Sequence, residues 1–375
     1  MDMKRVAAAL LVLGVFACTA SAAGPVRVSL AGKRAGPIVG RAWTVRLAVL
    51  PRTYAGTVRV SAVGPGRVRA RATGKRGSYR ARLVFPAAGL WRLTARAGGA
   101  TSRLGSVRVR RPPARPVVFA QATSIDLEPA GTLLLVENNP GRVLRVNPAT
   151  GHVSVLVPSI ARPYAVVRAA SGSVYVSVGN QLQRLNGSGP PTSVAEVPAG
   201  VEIGPIAAGP NGDVYYSTAT QIFRLAGGAG PPIRIAGTGE AGGGGDGGPA
   251  LNAQFSSPHG LAVAADGALL VSDRDNNRVR RIDPATGLVT AFAPIDQPYG
   301  LDVAADGTVS VVEGSQSRVV RLSLTGTRLG LVGPAFAVAY DVEVGGGVTY
   351  VLDAGPAGYI RRIATDGTVT TVSRR

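Results

Sequence analysis

Carboxylates recur at one position of a repeated pattern between residues 117 and 375. Asp126 and Asp302 each stand five residues before a glycine, and Glu343 stands in the same column after a one-residue gap. Because their sequence neighbours are apolar, the alternation of side chains along a strand points these acids away from the packed face. Carboxylates that converge at one level either share protons or bind a hard divalent cation such as calcium. The pattern predicts a candidate metal site, with a solvated acidic channel as the alternative.

Aromatic side chains occupy a second column, eight residues before the same glycines. Tyr164, His259 and Tyr299 stand there, and Tyr340 follows with the same offset of one residue. Tyrosines and a histidine around one rim would form an amphipathic mouth suited to ligand contact. His259 is in addition the candidate catalytic residue, as a proton carrier. The chain has two histidines, and its one cysteine is Cys18, so thiolate and tri-histidine zinc sites are excluded.

The glycines that set these columns predict the architecture. They recur at spacings of 41, 40, 55, 40 and 40 residues, as Gly131, Gly172, Gly212, Gly267, Gly307 and Gly347. Each unit contains four strand-length segments, and one such unit cannot bury its own apolar faces. We therefore predict an all-β propeller of six blades over residues 117–375.

Two charged columns accompany the repeat. An apolar-x-Arg-apolar tetrad supplies Arg145, Arg184, Arg224, Arg281, Arg321 and Arg362. The position six residues after the turn glycine supplies Glu137, Asp273, Glu313 and Asp353. We expect these residues to be structural, with the acid and the tetrad arginine of one blade forming an ion pair or a carbonyl clamp; ligand contact is the alternative.

The fourth unit resembles a known family. Its motifs look like an NHL repeat nearly in full: Gly237-Thr238-Gly239, Gly245-Asp246-Gly247-Gly248-Pro249-Ala250, Pro258-His259-Gly260-Leu261-Ala262-Val263 and Asn277-Arg278-Val279-Arg280-Arg281-Ile282-Asp283. The resemblance implies an NHL-type propeller that binds proteins, nucleic acids or envelope ligands. Related propellers include virginiamycin B lyase-like enzymes, gluconolactonases and amidating lyases. The Pro258-His259-Gly260 motif is similar to one in the lyases, but their Trp-Phe-Thr-Glu strand is replaced here by Leu270-Val271-Ser272-Asp273.

The N-terminal residues 1–22 have the features of a secretory signal peptide. Lys4 and Arg5 precede an apolar run, and small residues lead to a cleavage site after Ala22. We expect a secreted or extracytoplasmic protein, with a lipoprotein anchored at Cys18 as the alternative.

Residues 23–110 are predicted to form a basic immunoglobulin-like β-sandwich, joined to the propeller by a Pro/Arg-rich linker at 111–116. Seven alternating segments support this assignment. The chain has a net charge of +20, yet no Asp or Glu occurs between Met3 and Ile125. The resulting layer of arginines could associate with an anionic lipid surface or wall polymer; a merely soluble basic face is the alternative.

Together these features favour an exported, monomeric, noncatalytic binding protein whose propeller mouth receives a protein or small ligand. No cofactor is expected, with a divalent cation such as calcium in the channel as the alternative, and no physiological nucleic acid partner is expected. The alternative is a metal-dependent lactonase or lyase that uses Asp126, Asp302, Glu343 and His259. A passive structural module is the second alternative.

Overall fold

The computed structural model describes residues 26–31, 37–50, 52, 55–110, 115–187, 189–355 and 358–374. The predicted signal peptide lies outside the described residues. The chain divides into two compact units between residues 113 and 114. None of the helices in the described ranges has the length and apolar character needed to cross a membrane.

The first unit is an antiparallel sheet of seven strands. The strands are β1 (Arg27–Leu30), β2 (Ala42–Leu50), β3 (Val58–Val63), β4 (Arg67–Lys75), β5 (Ser78–Val84), β6 (Gly89–Ala97) and β7 (Ala100–Val109). Their hydrogen-bonded order is β1-β2-β5-β4-β3-β6-β7, and β1 also contacts β7, so the sheet is nearly closed. The immunoglobulin relationship of this unit stays a prediction.

The first unit has its own core because apolar and basic residues alternate along its strands. On β5, Tyr79, Ala81 and Leu83 are buried, whereas the residues between them are exposed. Trp91 is fully buried, and its ring meets that of Phe85 edge-on at 5.1 Å between centroids. The period of two places every second side chain of a strand on the same face.

The second unit consists of six four-stranded antiparallel sheets, which confirms the predicted all-β six-bladed propeller. Blade one contains β9 (Ala122–Leu127), β10 (Leu133–Glu137), β11 (Arg142–Asn147) and β12 (His152–Val157), and blade two β13 (Pro163–Arg168), β14 (Val174–Val178), β15 (Gln181–Asn186) and β16 (Gly189–Glu196). Blade three contains β17 (Ile206–Ala208), β18 (Val214–Ser217), β19 (Ile222–Leu225) and β20 (Ile233–Ala236), and blade four β21 (Pro258–Val263), β22 (Leu269–Asp273), β23 (Arg278–Ile282) and β24 (Val289–Pro294). Blade five contains β25 (Pro298–Val303), β26 (Val309–Glu313), β27 (Arg318–Leu322) and β28 (Arg328–Val332), and blade six β29 (Ala339–Gly345), β30 (Val348–Asp353), β31 (Tyr359–Ile363) and β32 (Val369–Thr371). Short 3-10 helices span Ala226–Gly228, Ala250–Asn252, Arg274–Asn276 and Gly314–Gln316.

The repeated glycine is required by the turn between the first two strands of each blade. Gly131 and Gly267 have φ values of +78° and +83°, in the left-handed region that side chains disfavour. The turn fixes the strand register, so residues at equal distances after the glycine take equivalent positions in every blade, whereas the residues before it are offset by one in blade six.

The ring closes where both ends of the propeller meet. Val369–Thr371 forms the outer strand of blade six, and β8 (Arg115–Pro116) pairs with β33 (Ser373–Arg374). The Val117 N–H donates to the Val372 carbonyl, and the Phe119 N–H donates to the Gly358 carbonyl. An apolar cluster joins the two terminal blades around Ile125, Leu135, Leu352 and Ile360.

The predicted pairing of each acid with its tetrad arginine is wrong. Glu137 faces Arg142 in the strand register, whereas Arg145 faces Leu134 at the other end of the hairpin. The acids pair instead with other arginines: Glu137 with Arg142, Asp273 with Arg278 and Arg280, Glu313 with Arg318 and Arg328, and Asp353 with Arg361. The tetrad arginines that form ion pairs bind acids near the turns: Arg145 with Glu128, Arg224 with Asp213, Arg281 with Asp266 and Asp283, and Arg321 with Asp306. Arg184 and Arg362 form no such pair among the described residues.

The buried acids also bind the segment that enters the blade. Glu137 accepts a hydrogen bond from the Ala120 N–H at 2.8 Å, and Asp273 accepts one from the Ser256 N–H at 2.8 Å. Asp353 accepts one from the Val338 N–H at 3.0 Å. Each of these carboxylates thus connects the end of the second strand of a blade to the chain that approaches its first strand.

Arg280 anchors the glycine-rich excursion that precedes blade four. Its side chain is fully buried, 2.8 Å from the Asp246 carboxylate and 3.5 Å from that of Asp273. It also donates to the carbonyls of Gln254 at 2.6 Å and Gly244 at 3.1 Å. Arg278 pairs with Asp246 as well, at 2.7 Å, so two cations pack this loop against the blade.

We predict that Arg280→Gln lowers the free energy of unfolding by about 3–5 kcal/mol, because the variant loses the bonds of a fully buried cation to Asp246, Gln254 and Gly244 and one of the two cations beside the buried Asp273 carboxylate. The matched control is Arg281→Gln on the next residue, whose ion pairs are partly exposed and contribute about 0–1 kcal/mol. Urea denaturation of the full chain measures both. Equal losses for the two variants would contradict this account.

Candidate functional site

The channel is lined by the first strand of each blade. These strands, β9, β13, β17, β21, β25 and β29, are the edge strands of their sheets, and consecutive ones contact each other around the ring. Every second side chain of each strand points toward the channel axis, and the repeated glycine turn determines which residues these are. Side chains from different blades therefore meet at defined levels of the channel.

The predicted acids occupy equivalent positions in three consecutive blades. Asp126, Asp302 and Glu343 face Leu134, Ser310 and Tyr350 in the register, each the third residue after its turn glycine. A cavity of about 130 Å³ is lined by all three acids and by a fourth, Asp341. The exposed part of these carboxylates faces this narrow cavity, so the carboxylates are removed from bulk water.

Each carboxylate accepts a backbone hydrogen bond from the next blade. Oδ2 of Asp302 accepts from the Val344 N–H at 2.7 Å, and Oε2 of Glu343 accepts from the Leu127 N–H at 3.1 Å. Oδ2 of Asp126 accepts from the Arg168 N–H at 3.0 Å. The acids therefore connect blade five to six, six to one and one to two.

Burial raises the pKa of every acid in this cluster. It raises the pKa of Asp126 to about 8, that of Asp341 to about 7 and that of Asp302 to about 6. The pKa of Glu343 lies well above its usual value, first because of burial and then because of repulsion by the neighbouring carboxylates. Desolvation and mutual repulsion both favour the neutral acid, so the cluster retains protons near neutral pH.

The acids suit a divalent cation in chemistry but not in arrangement. Carboxylate oxygens are the ligands that calcium prefers. Yet across the ranges described, no group of three or more His, Cys, Asp or Glu side chains is placed to hold a metal ion. Several of the oxygens already bind backbone N–H groups, including both of Asp302. The geometry therefore does not supply the predicted metal site.

Asp341 is a fourth acid of the channel, and it stands outside the repeated column of acids in the sequence. It lies two residues before Glu343 on β29, and its Oδ2 accepts from the Ile125 N–H at 2.9 Å. A Cβ atom on Gly300 would lie only 2.0 Å from Oδ1 of Asp341, so this glycine leaves the space that the carboxylate fills. The period of two counted back from Glu343 would have found it.

The four predicted rim residues form a closed cycle of rings. The His259 ring lies 5.0 Å from Tyr299 and 6.3 Å from Tyr164 between centroids, edge-on in both cases. Tyr299 lies 5.1 Å from Tyr340, and the Tyr340 and Tyr164 hydroxyls are 3.4 Å apart. The structure thus brings together side chains from blades two, four, five and six.

His259 is held as a neutral imidazole. Its Nδ1 lies 3.2 Å from the Ser257 carbonyl oxygen. Since a carbonyl can only accept, Nδ1 carries the proton and Nε2 carries the free lone pair. Burial lowers the pKa of His259, and the Arg274 cation lowers it further. This histidine is a base available at neutral pH.

Arg274 is a second site residue that the sequence columns did not reveal. Its guanidinium carbon lies 5.1 Å from the centroid of Tyr299, and its Nε is buried without a hydrogen-bond partner. It sits just after β22, one position beyond the Asp273 column. Its guanidinium also donates to the exposed Asp275 carboxylate at 3.1 Å, so an anionic ligand would share this cation or replace Asp275.

The mouth opens over blade three. Gly204 holds the rim position there and contributes no side chain, and a groove of about 1090 Å³ lined by Gly204, Tyr164 and His259 lies at this point. Tyr164 and His259 also line the smaller acidic cavity. These two rings therefore separate an open groove, large enough for a small organic ligand, from the acids below.

Comparison with known proteins agrees with the propeller fold. The family model of the NHL repeat matches residues 255–282, and the solved structures that resemble the chain are propellers. Streptogramin B lyase is similar at 18% identity with a TM-score of 0.52, covering 70% of this chain and 86% of the lyase. A gluconolactonase from Xanthomonas campestris is similar at 17% identity and a TM-score of 0.54, covering 69% and 88% of the two chains. Regucalcin from Agrobacterium tumefaciens, a calcium-binding protein, is similar at 15% identity and a TM-score of 0.54, covering 70% and 95%. No curated protein sequence matches this chain.

These comparisons correct the expectation of a noncatalytic binding protein. Propellers similar to this chain include a lyase and a lactonase, which favours the enzymatic alternative. Identities of 15–18% establish the shared fold alone, so an activity has to be argued from the residues of the site.

We predict that the free energy of unfolding falls as the pH rises from about 4 to about 8. The folded acids have raised pKa values, so the folded state binds more protons than the unfolded state in this window and loses that advantage as the protons leave. Asp126→Asn should flatten the slope. Asp296→Asn, at an exposed aspartate, is the control. Denaturation in chelator at several pH values measures the effect, and superimposable profiles for wild type and Asp126→Asn would refute it.

Proposed function

We propose that the propeller is an enzyme that opens cyclic esters of the lactone class at the aromatic mouth. The observation that supports this most directly is His259, whose Nδ1 is tied to the Ser257 carbonyl beside the paired hydroxyls of Tyr164 and Tyr340. The lyase and the gluconolactonase with this fold act, as their names state, on streptogramin B and on gluconolactone. The name of the gluconolactonase points to lactones, and that of the lyase to streptogramin B, as the first substrates to test.

The groove over blade three admits the substrate, with its ester carbonyl toward the tyrosines. Burial raises the pKa of Tyr164 and Tyr340, so both remain neutral phenols that donate hydrogen bonds. Donation to the ester carbonyl oxygen stabilises negative charge that develops there. The tyrosine pair thus orients and polarises the ester.

His259 then acts as the general base. Its Nε2 removes a proton from the carbon beside the one that carries the ester oxygen, a carbon–carbon double bond forms, and the carbon–oxygen bond of the ring breaks. The electron pair of that bond leaves with the carboxylate, which Arg274 can bind. No water is consumed, so the reaction is an elimination.

Hydrolysis is the variant in which Nε2 takes a proton from water, the water oxygen attacks the carbonyl carbon, the acyl carbon–oxygen bond of the ring breaks, and the leaving alkoxide takes that proton back from His259. No step in either route uses a metal, because the carboxylates do not form a fitting ligand set. The metal dependence of the lactonase or lyase alternative is tested by measuring ring opening with calcium and with chelator.

We predict that the purified full-length protein opens gluconolactone or streptogramin B and that His259→Gln lowers kcat by about 10²–10⁴-fold, the usual contribution of a general base. His152→Gln is the matched control, since His152 is the other histidine and is exposed. Ring opening is followed by chromatography, and solvent ¹⁸O in the product distinguishes hydrolysis from elimination. Turnover unchanged in His259→Gln, or no turnover of either substrate by folded wild type, would argue against the proposal.

We also propose the organisation indicated by the sequence: a signal peptide at 1–22, an immunoglobulin-like domain at 23–110, a linker at 111–116 and an extracytoplasmic propeller at 117–375. Expression in a bacterial host should give a mature protein that begins at residue 23. N-terminal sequencing measures this. A lipid-modified Cys18 would favour the lipoprotein alternative, and an intact Met1 would oppose export.

A further inference from the structure

Four neighbouring strands of the first unit present a strongly basic outer surface. We define the arginine face as the exposed arginines of β3, β4, β6 and β7, namely Arg59, Arg67, Arg69, Arg71, Arg92, Arg96, Arg103 and Arg108. The alternation along each strand sends the residues between them into the core, as Val58, Val60 and Ala62 show on β3. The burial of those residues holds the arginines on one side.

The strand register places like charges directly beside one another. Arg59 faces Arg71 on one side and Arg96 on the other, so three arginines form a row across three strands. Adjacent strands are about 4.8 Å apart, and like charges directly opposite each other are destabilising. The first unit itself supplies no acid to relieve the repulsion, since none occurs in the sequence between Met3 and Ile125.

Apolar side chains interrupt the arginine face near one end of the strands. Val63 is 50% exposed and faces both Arg67 and Arg92 in the register. Leu90 is 55% exposed and faces Arg108. This end of the face therefore combines guanidinium groups with aliphatic side chains that no described residue covers.

We propose that the arginine face binds the surface of an anionic phospholipid bilayer. The lipid phosphates would neutralise the positive charge of the arginine rows, which the first unit itself does not compensate. Val63 and Leu90 would enter the boundary between headgroups and acyl chains, and the arginine stems would lie along the same boundary. A soluble polyanion satisfies the charges but offers no apolar layer, so the exposed aliphatic residues favour lipid.

The first test is sedimentation of the full-length protein with vesicles at low salt. We expect binding to vesicles containing phosphatidylglycerol and none to phosphatidylcholine alone. The triple variant Arg59→Gln, Arg71→Gln and Arg96→Gln should lower partitioning on the order of 100-fold, the combined effect of three basic residues at a membrane surface.

The charge-matched control carries Arg184→Gln, Arg321→Gln and Arg362→Gln in the propeller and should bind within a few-fold of wild type. Thermal melts show that each variant is folded. Equal losses in the two triple variants would mean that net charge alone acts, and equal binding to both vesicle types would remove the charge from the mechanism. Either outcome overturns the proposal.

The second test separates lipid from a soluble polyanion. Val63→Ser with Leu90→Ser should weaken vesicle binding several-fold and leave binding to inorganic polyphosphate unchanged. Vesicle binding as strong as wild type in this variant, together with equally strong polyphosphate binding, would identify a soluble anionic polymer as the partner and overturn the lipid assignment.

Discussion

The inner strands of the propeller are edge strands, and the free N–H groups along those edges need acceptors inside a narrow channel. A backbone donor buried without a partner costs free energy comparable to a lost hydrogen bond. Carboxylates supply the acceptors between blades five and six, six and one, and one and two. The same bonds that hold these blades together place the acids where desolvation raises their pKa values, so the assembly of the ring and the altered acidity of the channel share one cause.

This constraint makes the two halves of the ring different. The acidic column continues as Val167, Ala207 and Ala262 in blades two, three and four, where the channel wall is apolar. The rim opens at Gly204 in blade three, across a six-bladed ring from blade six, which contributes both Asp341 and Glu343. A ligand that enters over blade three therefore meets Tyr164 and His259 first, and the acids behind them.

The number of blades and the positions of the rim and acid columns could be predicted from the sequence because both follow from one repeated glycine turn. The ion pairs could not be predicted in this way. Glu137 faces Arg142, which lies three residues before Arg145 on the same strand, so Arg145 pairs with Glu128 instead. Arg274 could not be predicted as a site residue, because it follows a strand and belongs to none of the repeated columns. Contacts across blades depend on packing, which the repeat period does not specify.

The segment at residues 115–120 makes hydrogen bonds to blade six, more than two hundred residues away in the chain. Every blade is a continuous stretch of sequence, so most strand pairs form between neighbours and have a low loop-closure cost. The bond between the first and last segments is the long-range exception. The blades can therefore assemble in chain order, and the ring closes when blade six meets blade one and the last residues reach the strand that preceded the first blade.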